Sequence, residues 1–166
     1  MATINTNDNK ISLSFIVTAG VIAAIYAALT ILLAPISFSA VQFRVSEALT
    51  LLPVILPQSI PGLAIGCLLS NLIVGAPWQD VVFGSLATLL AAFATRQFKH
   101  HIWLAAFMPV FFNGLIVGAV LSWLYALPFW ATAGTVAMGE AAVCYMLGIP
   151  LIQMLKKHFK DEKVEK

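Results

Sequence analysis

Between Ile11 and Leu155 the chain carries six formally charged residues, Arg44, Glu47, Asp80, Arg96, Lys99 and Glu140; the others are Asp8, Lys10 and the run from Lys156 to Lys166. Apolar stretches this long and this free of charge are built for lipid, where a helix of about twenty apolar residues spans the hydrocarbon core. Composition agrees: 61% hydrophobic, 10% charged and a mean hydropathy of +0.96 stand far from the roughly half apolar and quarter charged soluble norm. The 166 residues hold at most about six spans, with no room for a fused ATPase. Disorder and a secreted disulfide scaffold are excluded, and a net charge of +2 with pI 8.6 excludes a nucleic-acid binder driven by a basic surface.

Six segments follow from the punctuation. The first runs 11–34 and stops at Pro35; the others are 47–57, 60–75, 80–97, 102–125 and 129–155, divided by Gln58-Ser59, Ala76-Pro77, the Arg96 to His101 loop and Pro128. The first is a retained span rather than a cleaved signal, because one lysine precedes it and further membrane segments follow. Segments two and three are each short for a span, and charge decides between one crossing and two. With two, Lys10, Arg96/Lys99 and Lys156/Lys157/Lys160 share one side, as the positive-inside rule requires. The fold class expected is therefore an all-α integral membrane protein of six helices with both termini cytoplasmic, in one domain over 1–166 between short polar tails. Trp78, Trp123, Tyr125 and Trp130 then form an outer aromatic belt and Trp103 an inner one. No internal sequence repeat stands out.

Charged groups retained at membrane depth cost roughly 2.5 to 3.5 kcal/mol each on insertion scales, so each has a partner or a task. Glu140 lies twelve residues past Pro128, and Asn113 twelve past His101, so both fall near mid-depth. Glu140 is either interhelical glue bonded to Asn113 or the floor of a ligand pocket. Arg44 and Glu47 are three apart, where an outer loop enters the second segment, with Ser46 a plausible N-cap; a local ion pair is the plainer account. Asp80 opens the fourth segment, where an N-cap would explain it, and Asn71 sits a turn below the same surface. Cys67 and Cys144 lie in apolar runs and read as small core hydrophobes. No metal cluster or nucleophile–His pair is present, since His100, His101 and His158 fall in cytoplasmic segments; no cofactor is implied. The first segment carries two small-residue rows, Ala19/Ala23/Ala27 and Gly20/Ala24/Ala28, which permit close helix approach, within this bundle or to another protein.

Small size, six hydrophobic segments and that alanine pattern resemble the substrate-binding S-components of energy-coupling factor transporters. FRVSEALTLLP (Phe43 to Pro53), the Gly62/Gly66/Asn71 region and DVVFGSLATLLAA (Asp80 to Ala92) look like the QueT family of queuosine-precursor transporters. The resemblance implies a cell-membrane protein that captures its substrate outside for uptake driven by a transmembrane coupling protein and two cytoplasmic ATPases. Consistently, the sequence has no GxxxxGK[ST]. It also implies that Ala19, Ala23 and Ala27 meet the coupling protein, and that the loop from Pro35 to Ser46 is the lid.

A 7-deazaguanine such as queuine offers adjacent N–H donors, an O6 acceptor and a flat π face, with an ammonium on its side arm. Glu140 or Glu47 suits the donor edge, Asn113, Asn71 or Arg44 suits O6, and Trp78, Trp130, Phe43 or Tyr125 suits stacking; Asp80 or the remaining glutamate faces the ammonium. Two alternatives stand beside this reading. One is an S-component for another vitamin; the other is a self-assembling proton-coupled transporter using Glu140.

Overall fold

A computed structural model describes residues 13–37 and 43–164, and no strand occurs among them. The first helix, α1 (Leu13–Leu32), ends in a further helical turn at Ala34–Ser37. The second, α2 (Val45–Val54), is wound as a 3-10 helix, and α3 is Ser59–Ile73. A π turn at Asp80–Gly84 leads into Ser85–Gln97, together α4; α5 is Ile102–Tyr125. The last helix, α6, runs Phe129–Val143, passes a π turn at Cys144–Gly148 and continues as Ile149–Val164. Three helical stretches, Leu13–Leu32, Ile102–Tyr125 and Phe129–Phe159, are long and apolar enough to cross a membrane. Their outer faces carry exposed Leu13, Ile16, Phe107, Phe111 and Met138, the surface lipid tails would cover.

Neighbouring helices pack in the order α1, α3, α4, α5, α6, and α2 touches all five. The shortest of the six helices is thus the central one. Its ten residues would span only about 15 Å as an α-helix; wound as 3-10, at about 2.0 Å per residue, they reach about 20 Å. That is still short of a bilayer, and α2 needs no lipid contact because Glu47, Ala48, Thr50, Leu51 and Leu52 are buried inside the bundle. Its final carbonyls would be left orphaned. Arg96 of α4 closes them, donating from Nη1 to Pro53 O at 3.0 Å and to Val54 O at 3.1 Å. Arg96→Met is therefore expected to cost about 2 kcal/mol, the worth of a charged hydrogen bond, read as a lower thermal midpoint of the purified protein.

The seam between α1 and α3 is formed by glycines. A Cβ on Gly62 would stand 2.5 Å from Ala19 O, and one on Gly66 would stand 2.8 Å from Ala23 O. Ala19, Ala23 and Ala27 are accordingly buried. This corrects the assignment of that row to an external partner: its small side chains admit α3 of the same chain. The row left on the outside is Gly20, Ala24 and Ala28, and a Cβ on Gly20 would meet nothing within 4 Å.

Candidate functional site

Buried polar side chains converge on α2 from every neighbouring helix. From α1, Tyr26 donates its hydroxyl to Glu47 Oε1, and one turn on Thr30 shares a 2.6 Å hydrogen bond with Ser46 Oγ. Ser46 is therefore not an N-cap; it lies within the first turn of α2, and Arg44 precedes the helix. From α3, Cys67 Sγ accepts from Arg44 Nη1 at 3.8 Å and from Asn71 Nδ2 at 3.7 Å. Asn71 Nδ2 also donates to the backbone carbonyl of Asp80 at 3.3 Å. Asp80 is not a helix cap either: its amide bonds to Pro77 O at 2.9 Å, and its carboxyl is buried at the start of the π turn. Arg44 is buried at the start of α2, where its carbonyl accepts from the Glu47 amide at 2.8 Å.

On the other side, Asn113 of α5 donates to Glu140 Oε1 of α6 at 2.9 Å. Cys144 Sγ, 3.9 Å from Glu140 Oε2, lies one turn along α6 and 3.8 Å from Glu47 O. Both thiols are fully buried, as expected of core cysteines, but they face polar groups rather than apolar ones. Among the described residues, three buried oxygens in this region accept no hydrogen bond: Glu47 Oε2, Asn71 Oδ1 and Asp80 Oδ1. Among the described residues no cluster of metal-ligating side chains is present.

Above Asp80 lies a cavity of about 700 Å³, within the range of ligand sites. Pro77 and Ala76 on one side and Tyr125, Pro128, Thr132 and Thr135 on the other line it, so it sits at the end of the bundle where 74–79 and 126–128 connect the helices. Among the described residues Asp80 is its one charged lining group.

Of the residues singled out in the sequence, Arg44, Glu47, Asn71 and Asp80 form one connected polar group, with Asn113 and Glu140 beside it. Trp78 and Trp130 are not brought to it: they are 62% and 79% exposed, and Trp130 packs edge-on against Phe129 at 4.8 Å. Their rings suit a membrane interface, and among the described residues Tyr125 is the aromatic one that reaches the cavity. Phe43 is 41% exposed. Of the expected lid, residues 38–42 lie outside the described residues, while Ala34–Ser37 form a helical turn and Val45 already belongs to α2. Tyr26, Thr30 and Thr132 are additional. Tyr26 and Thr30, four apart in an otherwise apolar run, were the legible trace of a helix face turned toward polar groups.

Comparison with known proteins agrees with this architecture. The QueT transporter family model matches residues 16–157. A relative from Lactococcus lactis subsp. cremoris (strain MG1363), named "Queuosine precursor transporter QueT", is 34% identical over 146 residues, covering 79% of this chain and 86% of the relative. No solved structure matches. Six helices around a buried polar centre, three of them able to cross a membrane, and a family match over most of the length lead to one conclusion: the chain belongs to the QueT transporter family.

Proposed function

We propose that the protein is the substrate-binding S-component of an energy-coupling factor importer, which captures a queuosine precursor of the 7-deazaguanine class outside the cell. The observation that carries this reading is the cavity of about 700 Å³ with Asp80 on its wall, in a chain whose relative is named as a queuosine precursor transporter. Both termini are cytoplasmic in this reading, which puts the cavity mouth on the outside, and the sequence carries no GxxxxGK[ST]. A coupling protein and two ATPases of other chains therefore drive inward release. Docking to the coupling protein falls on the exposed Gly20/Ala24/Ala28 row of α1, since the neighbouring alanine row is occupied by α3.

Tyr125 offers the deazapurine a face, Thr132 and Thr135 offer hydroxyls, and Asp80 offers a carboxyl for a donor or an ammonium. A ligand at a hundred times its Kd stabilises the folded state by about 2.7 kcal/mol. Queuine or 7-aminomethyl-7-deazaguanine is therefore expected to raise the melting temperature of the detergent-purified protein by several degrees, while thiamine, riboflavin and biotin leave it unchanged. A response to one of those vitamins and to no deazaguanine would replace the substrate and keep the fold.

A further inference from the structure

We propose that Glu47 Oε2, Asn71 Oδ1 and Asp80 Oδ1 form an acceptor array for the N–H donors of the substrate. In this array Tyr26 is the positioning residue for Glu47, and Glu140 lies outside it. The inference rests on reading the cavity as the substrate site, and it deepens that reading by naming the acceptors that meet the N–H donors of a deazaguanine.

Buried polar atoms are nearly always hydrogen-bonded, because leaving one unpaired forfeits its hydration without return. Here three oxygens are buried without a donor, and they sit on side chains already joined to one another. The Glu47 amide bonds the Arg44 carbonyl, Arg44 and Asn71 both reach Cys67, and Asn71 bonds the Asp80 carbonyl. All three are acceptors, so the missing partner is a donor.

The orientation of each group is fixed by its other end. The amide of Asn71 cannot be turned over, since its nitrogen faces a backbone carbonyl and a carbonyl accepts only. Oδ1 is thus the end left open. Tyr26 holds Glu47 Oε1, which leaves Oε2 as the free acceptor. Asp80 Oδ1 lies over Gly84, where a Cβ would come within 3.3 Å of it and within 3.4 Å of Asn71 Nδ2. Asp80 lines the cavity, whereas Glu47 and Asn71 are fully buried and do not line it; in this proposal the donor edge of the substrate reaches them past Asp80.

Glu140 lacks this opening. Asn113 occupies Oε1 at 2.9 Å and the Cys144 thiol faces Oε2 at 3.9 Å. It ties α6 to α5 and is a structural partner.

Calorimetric titration of the detergent-purified full-length protein with 7-aminomethyl-7-deazaguanine and with the same compound lacking its 2-amino group tests the array. The desamino ligand is expected to bind at least about a hundredfold more weakly, because a site built for a donor rejects its absence strongly. Tyr26→Phe removes one hydroxyl and is expected to weaken the full ligand about tenfold and to narrow its advantage over the desamino form. A merely structural tyrosine would weaken both ligands alike. Glu47→Gln should lose most of the binding, and Glu140→Gln should stay within about threefold of wild type, because glutamine still accepts from Asn113. Equal affinity for the two ligands in wild type, or Glu140→Gln as damaging as Glu47→Gln, would overturn the array while leaving the substrate class standing. Failure of wild type to bind either deazaguanine would overturn the substrate reading and the array with it.

Discussion

Ala24→Leu is expected to end ATP-driven substrate uptake in cells that carry the coupling protein and its ATPases, while the purified variant binds substrate and melts like wild type. Ala24 lies with Gly20 and Ala28 on the outer side of α1, where the added side chain meets only solvent or lipid in the isolated protein. In hydrocarbon, helices associate by close packing rather than by expulsion of water, so small residues mark where axes approach. A leucine at the centre of such a row holds a partner helix away and removes its packing contacts. Ala23→Leu, one residue earlier, is the informative contrast. Ala23 is 5% exposed and faces Gly66 across the α3 seam, so its enlargement overpacks the bundle at a cost of about 1 to 3 kcal/mol or more. The first variant separates uptake from stability; the second couples them. Full uptake by Ala24→Leu would return the outer row to lipid and require the docking surface to be sought on another helix.

How much of this was legible beforehand depends on the period of the signal. Charge-free runs bounded by prolines and by Arg96 to His101 sufficed to place six helices, because span length is a local property. Depth was also readable: counting twelve residues from Pro128 and from His101 put Glu140 and Asn113 on one level, and they bond at 2.9 Å. Rotation was not. Two adjacent small rows on α1 differ by one residue, and only the location of Gly62 and Gly66 decides which row is used internally. The spacing of those glycines, four apart on α3, was the complementary pattern, but one sequence does not say which pair of helices meets. The same limit applies to the tryptophans: their chemistry suited both stacking and the membrane interface, and only their outward rotation on the bundle takes Trp78 and Trp130 away from the polar centre. Local winding was hidden as well. The π turns at Asp80–Gly84 and Cys144–Gly148 have no periodicity that marks them in advance, yet each starts at a residue of the polar centre, as π turns near functional sites tend to do. Ser46 and Asp80 read as caps for the same reason: a helix start is visible locally, while the partner that claims the side chain is not.

Gly66→Ala is expected to damage both fold and binding, although it adds a single methyl. Its Cβ would stand 2.8 Å from Ala23 O, 2.9 Å from Tyr26 Cβ and 3.1 Å from Ala23 Cα. Two of these atoms belong to helical backbone, so no rotamer change relieves the clash and α1 must move as a unit. Overpacking of this kind costs about 1 to 3 kcal/mol, and here the displaced element carries the Tyr26 hydroxyl that holds Glu47. Loss of affinity should therefore exceed that of Tyr26→Phe, since the shift also disturbs the contact between Thr30 and Ser46. Gly20→Ala supplies the control on the same helix: its Cβ meets nothing within 4 Å, and alanine is the better helix former by about 1 kcal/mol, so the melting temperature should hold or rise. Thermal unfolding and deazaguanine titration of the two variants side by side distinguish a seam that sets the position of Tyr26 from one that merely fills space. In the latter case Gly66→Ala would melt early yet bind with wild-type affinity below its transition.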